Sequence, residues 1–229
     1  MCGRYSFFTP IPEIELTMGV KAVEWAEWQA RYNAAPTQMM PVITNEFPNV
    51  IQFFRWGLVP KWAKEAAIGN KMINTRTESI IEKPGFRNIF KYRRCLVLAD
   101  GYYEWMATTL PPQKGGKQKI TKQPYRFHLP HNEVMLIAGL WDTWQGELNT
   151  FSIITCPPNT DVAHIHDRMP VILNQAEAKL WLSNEVPPDQ LLSLLKPAPT
   201  GVLQFYPIST VVNKPVADDI SILDPIQTD

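Results

Sequence analysis

The second residue of the chain is a cysteine, in the opening stretch "MCGRYSFF". Small side chains at position two normally permit removal of the initiator methionine, so the mature chain is expected to begin at Cys2. That residue would then carry a free α-amine, with an ordinary pKa of about 7.7–8.0, next to a thiol of about 8.5. No internal cysteine offers such a 1,2-aminothiol, which can attack a carbonyl through nitrogen and then close a ring through sulfur. The plainer alternative is a small apolar residue near a frayed terminus.

Three other segments place polar residues where the surrounding pattern expects core or simple turn. "MINTRTES" sets Asn74, Arg76 and Glu78 at alternate positions, on one face of an extended chain. A solvated strand face has the same pattern. "ADGYYEW" puts Glu104 among aromatic residues just after a tight turn. Burial there would raise its pKa toward neutrality and make it a usable acid or base, whereas exposure beside Tyr103 and Trp105 would leave an ordinary carboxylate. "HIHDRMPVIL" gathers His164, His166, Asp167 and Arg168 ahead of an apolar strand, a density that suits a site better than a core. Paired histidines more often serve structural hydrogen bonds. His-x-His supplies only two ligands with no cysteine to complete a set, so no metal is expected. Tyr32 and Asn33 in "RYNAAP" read equally well as packing and turn chemistry. There is no P-loop or GxSxG elbow, and no cofactor is implied.

These groups must be positioned by a chain of 229 residues, 45% apolar and 19% charged, enough for one domain with a substantial core. A formal net charge of zero argues against molecule-wide attraction to nucleic acid or anionic membrane and leaves room only for a local basic patch. No apolar run reaches the roughly 18–20 residues of a membrane span, and no signal-peptide core is read. Three cysteines without CxxC spacing argue against a disulfide framework and fit a reducing cytoplasm.

Periodicity predicts short helices at "PEIELTMG" and over residues 21–32, then an extended run through Pro36 and Pro41. Strands are predicted at residues 49–60, on both sides of the turn in "RRCLVLADGYYEW", at "PYRFHL", "EVMLIAGLWDTW", "TFSIITC" and "GVLQFYPIS". Residues 110–123 read as an exposed hairpin loop, and "NQAEAKLWLS" and "PPDQLLSLLK" as capped helices. The expected fold is α+β: a single domain (core about 2–215) with a curved, mostly antiparallel, barrel-like β core and peripheral short helices. Residues 216–229 read as an acidic, loosely held C-terminal tail.

In this order, "MCGRY", "RYNAAPTQ", "RWGLVPKW", "MINTRTES", "RRCLVLADGYYEW", "PYRF", "AGLWD", "FSIIT" and "HIHDRMPVIL" resemble the SRAP domain family of SOS-response-associated peptidase-like proteins. Each motif is weak alone; the ordered set is specific and spans nearly the whole chain. The resemblance implies covalent capture of abasic sites in single-stranded DNA through Cys2, with a thiazolidine product. It further implies that Glu104 handles the amine and its protons, that His166 assists sugar ring-opening, and that Asn74 positions the sugar. Arg4, Arg76 and Arg168 resemble phosphate-contacting arginines, and Trp62 resembles an aromatic stacking on a neighbouring base. The expected partner is DNA rather than membrane, and a monomer is expected. Ala63, Thr75 and the Pro157–Pro158 pair depart from the family's usual residues. Two other readings of an N-terminal cysteine are a thiol peptidase using Cys2, His166 and Glu104, and a class II glutamine amidotransferase. The second expects an apolar strand after the glycine and later Arg-Gly-Pro and Asn-Gly motifs, none of which this chain has.

Overall fold

The computed structural model describes residues 2–23, 28–110 and 119–226. The chain opens with β1 (Tyr5–Phe7), helix α1 (Ile11–Met18), β2 (Lys21–Ala22), β3 (Arg31–Ala34), β4 (Met39–Thr44) and β5 (Val50–Trp56). A 3-10 turn over Ala66–Lys71 leads to β6 (Asn74–Arg76), α2 (Thr77–Glu82) and α3 (Pro84–Tyr92). Then follow β7 (Arg94–Ala99), β8 (Gly101–Leu110), β9 (Lys119–His128), β10 (Met135–Trp144) and β11 (Leu148–Cys156). The last third holds α4 (Thr160–Ala163), β12 (Met169–Pro170), β13 (Ile172–Leu173), α5 (Gln175–Leu182), α6 (Pro188–Ser193) and β14 (Gln204–Pro207).

Five strands close on themselves in the order β11-β10-β7-β4-β5, and β5 returns to β11. Every pairing in this ring is antiparallel except the closure, where Thr150 and Phe151 run parallel to Arg55 and Trp56. A barrel this narrow has room only for side chains, and Val42, Val97, Ile137, Phe151 and Ile153 are among its fully buried residues. Helices α3 and α5 cover β7 and β10, so all six residues of β7 are buried. One of them is Arg94. Its guanidinium donates to the carbonyls of Phe90, Lys91, Trp181 and Ser183 at the ends of α3 and α5, where helix carbonyls lack intrahelical partners. Asn174 and Glu177 form the capping box that starts α5.

The second sheet has the order β14-β9-β8-β1-β3. Only Asp100 separates β7 from β8, so the two sheets meet at a corner. The Asp100 carboxylate fixes this corner by accepting from the backbone N–H groups of Phe8 and Thr9 and from the Thr9 hydroxyl. The fold is therefore α+β with a closed, mostly antiparallel core, as the periodicity predicts.

Four local expectations change. Residues 21–32 do not form one helix: Lys21 and Ala22 pair with Val50 and Ile51, and Arg31–Ala34 pair with β1. Strand pairing overrides the 3.6-residue pattern there; Glu24–Glu27 lie outside the described residues. The loop read at 110–123 falls partly outside them too, and from Lys119 onward the chain is already β9, paired with β8. Glu78 does not continue the extended face of Asn74 and Arg76, because β6 ends at Arg76 and Glu78 lies in the first turn of α2. The acidic C-terminal segment is not loose through Ile226. Asp218 accepts from the backbone N–H groups of Tyr32 (2.6 Å) and Asn33 (2.8 Å) and pairs with Arg31 at 3.0 Å. Val212 and Ile222 are buried against Tyr103.

Candidate active site

Strand alternation decides what Glu104 faces. Tyr103 and Trp105 point toward the C-terminal segment, where the Tyr103 hydroxyl donates to the Tyr32 carbonyl (2.6 Å) and the Trp105 indole to Asn213 Oδ1 (2.7 Å). Tyr102 and Glu104 take the opposite face, and Tyr102 belongs to the main core. Tyr102 lies across from Tyr5, and the Tyr103 N–H donates to the Arg4 carbonyl, so this pairing brings the Cys2 end of the chain alongside Glu104.

Glu104 is 1% exposed. Burial pushes its carboxyl up to about 8. Its Oε2 lies 3.5 Å from His166 Nε2. On the other side of the ring, the Arg168 backbone N–H donates to His166 Nδ1 at 3.0 Å, and the Arg168 carbonyl lies 3.1 Å from the same nitrogen. The N–H can only donate and the carbonyl only accept, so Nδ1 has a partner in either ring tautomer, while Nε2 faces Glu104. Burial lowers the His166 pKa and keeps the ring neutral near pH 7.

Cys2 is fully buried. Desolvation first, and the Glu104 charge second, push its thiol well above the ordinary range. Asn74 Nδ2 donates to the Cys2 carbonyl at 2.9 Å, and Asn74 Oδ1 is buried without a partner. Asn74 reaches this point because β6 pairs in parallel with β11, Asn74 opposite Ile153. Cys2, Asn74, Glu104 and His166 thus converge from four separate segments at the seam between barrel and second sheet.

The four residues expected to contact DNA divide into two kinds. Trp62 is 73% exposed and Arg76 also reaches solvent. Arg4 instead donates to Asn33 Oδ1 (2.9 Å) and to the Val212 carbonyl (2.8 Å). Arg168 is buried and holds Glu78 through two parallel bonds of 2.7 and 3.0 Å, with a third to the Thr155 carbonyl at 2.6 Å. His164 lies apart from His166, exposed and against the Phe205 ring. No group of three or more metal-ligating side chains occurs among the described residues.

Two residues have structural roles larger than the sequence indicates: Asn33, read there as packing or turn chemistry, and Asp218, read as part of a loose tail. Asn33 is fully buried, and its amide donates to the carbonyls of Val212, Lys214 and Ala217. Asp218 closes the same junction. Both partners are backbone groups about 180 residues away in sequence, which no local pattern announces.

Cys2 beside a buried acid–imidazole pair, on a closed barrel joined to a second sheet, sets a thiol among two proton-transfer groups. The profile described as "SOS response associated peptidase (SRAP)" matches residues 1–215, and the chain belongs to that family. It is 38% identical over 222 residues to the abasic site processing protein YoqW of Bacillus subtilis, covering 94% of this chain and 95% of that one. It is 33% identical over 245 residues to the abasic site processing protein HMCES of Gallus gallus, covering 89% and 69% respectively. Among solved structures, a Bacteroides thetaiotaomicron protein superposes with a TM-score of 0.82 at 27% identity, over 99% of this chain and all of that one.

Proposed function

We propose that this protein processes abasic sites in single-stranded DNA by capturing them covalently on Cys2. The convergence of Cys2, Asn74, Glu104 and His166 is the observation that carries the reading. An abasic deoxyribose equilibrates with a small fraction of open-chain aldehyde. His166, whose Nε2 faces Glu104, assists opening by protonating the departing ring oxygen. With Met1 removed, the Cys2 α-amine attacks the aldehyde carbon to form a carbinolamine. Protonation of the carbinolamine hydroxyl by Glu104 releases water and leaves a Schiff base.

The buried thiol stays protonated through these steps, so nitrogen attacks before sulfur. Sulfur then adds to the imine carbon and transfers its proton to nitrogen, closing a five-membered thiazolidine. This second step is intramolecular and benefits from a high effective concentration. Loss of the imine stops acidification of the adjacent C–H and with it β-elimination and strand breakage. Glu104 suits the proton transfers because its pKa of about 8 matches that of a terminal amine. Arg76 and Trp62 are the exposed candidates for phosphate contact and base stacking. The same chemistry implies a DNA-associated location in the cell.

The test is intact-protein mass spectrometry before and after mixing with an oligonucleotide carrying one abasic site. The expected result is a starting mass lacking Met1, then a heat-stable species equal to protein plus DNA minus one water, absent from Cys2→Ala. An equal yield of stable adduct from Cys2→Ala would refute the reading.

A further inference from the structure

Glu78 lies within the site's reach but takes no part in the chemistry above. Its side chain is 47% exposed, and a carboxylate in the first turn of a helix needs no partner. It nevertheless makes a two-pronged bond to Arg168, the geometry in which guanidinium and carboxylate hold each other most rigidly. That bond holds the Glu78 carboxyl down to about 2, so the clamp persists across the working pH range. A fixed negative charge beside a groove for a polyanion can only weaken DNA binding, so affinity does not account for it.

What the clamp controls is one residue pair away. The backbone N–H and carbonyl of Arg168 are the groups that meet His166 Nδ1. The Arg168 side chain is fixed at Glu78 and at the Thr155 carbonyl, which fixes its backbone and, through it, the imidazole. Glu78 follows directly on β6, so the same ion pair joins the segment carrying Asn74 and Arg76 to the loop carrying His166. The charged groups facing the imidazole are Glu104 from β8, Lys122 from β9, and Asp167 and Arg168 from its own loop.

We propose that Glu78 is a positioning residue: by clamping Arg168 it holds the His166 loop and keeps the imidazole Nε2 against Glu104. This rests on the abasic-site reading for its effect on rate, but its effect on the imidazole is independent of DNA.

The experiment therefore has two arms, with Glu78→Ala and the shape-conserving Glu78→Gln, each first shown to melt cooperatively. In the first, crosslinking is followed at saturating oligonucleotide, while noncovalent affinity is measured in a Cys2→Ala background. The rate constant is expected to fall roughly ten- to a hundredfold for Glu78→Ala. A smaller loss is expected for Glu78→Gln, and affinity should be unchanged or tighter in both. Glu78→Asp should recover part of the rate. In the second arm, imidazole 15N and ring-proton shifts of the DNA-free protein report the surroundings of His166, expected to move in Glu78→Ala toward those of a solvent-exposed histidine. Unchanged His166 shifts in Glu78→Ala overturn the proposal, as does a loss of affinity with an unchanged saturating rate. If the wild type forms no adduct, the abasic-site reading fails and the His166 shifts alone decide the role of Glu78.

Discussion

Glu104 shows how one buried side chain links stability to chemistry. An exposed carboxyl near 4.5 that rises to about 8 on folding is held as the neutral acid between those values. The unfolded chain has released that proton while the folded chain keeps it, so stability falls with rising pH across this window, by roughly 1 kcal/mol for each pH unit. Glu104→Gln removes the cost. Its melting temperature is expected to exceed that of the wild type progressively from pH 5 to pH 8, with no difference near pH 4, as calorimetry across that range would read. The wild-type crosslinking rate should follow a bell centred near pH 8. The ascending limb reflects loss of the amine proton and the descending limb loss of the Glu104 proton. Glu104→Gln should be slow at every pH and lack the descending limb. A variant that tracked the wild-type profile would remove Glu104 from the mechanism.

At the scale of elements, the site depends on how closely the chain leaving the barrel approaches itself. Gly57 ends β5 with φ 122°, a region that favours glycine, and its N–H donates to the Phe151 carbonyl at the barrel closure. Gly69, in the 3-10 turn before β6, lies against it: a methyl group added there would sit 2.5 Å from the Gly57 carbonyl oxygen. Two backbones in contact cannot yield by rotating a side chain. Gly69→Ala should therefore push the turn outward, costing on the order of 1–3 kcal/mol in urea denaturation. Because β6 follows at once, Asn74 should leave the Cys2 carbonyl and crosslinking should slow by more than the stability loss explains. Full activity in a destabilised Gly69→Ala would show that Asn74 is placed by β11 pairing alone.

On the scale of the whole molecule, the first and last parts of the chain hold each other. Arg4, Asn33 and Asp218 join β1, β3 and residues 212–218 through a connected set of hydrogen bonds. That junction covers Tyr103 on the face of β8 opposite Glu104, so the strand is buried on both sides next to the acid. Arg4 and Arg76, alike in sequence as exposed-looking arginines near motifs, should behave differently. Arg4→Ala is expected to lose on the order of 2 kcal/mol of stability, with DNA affinity changed little at any salt concentration. Arg76→Ala should melt like the wild type and bind single-stranded DNA more weakly, most of all at low salt, because it removes a phosphate contact. Binding titrations from 50 to 300 mM salt beside melting curves would separate the two; exchanged outcomes would move the phosphate contact to Arg4.

Much of the chemistry and fold class was legible in the residues themselves, since covalent structure and local pattern carry them. A cysteine at position two defines an aminothiol once Met1 is gone, whatever surrounds it. Alternating apolar strands such as "EVMLIAGLWDTW" and the Asn174–Glu177 cap are decided within a few residues. What distance in sequence conceals, only tertiary structure decided. Glu104 could have been an exposed carboxylate until the sheet–barrel seam removed its water. Lys21 and Ala22 pair as strand with β5, and Asp218 secures a terminus that composition alone marks as loose, because their partners are long-range. Arg76 and Arg168 sit in motifs of equal apparent promise, yet Arg168 is claimed by Glu78. The desolvation of a carboxylate and the ownership of a guanidinium depend on which remote segments arrive, and that is a property of the closed fold.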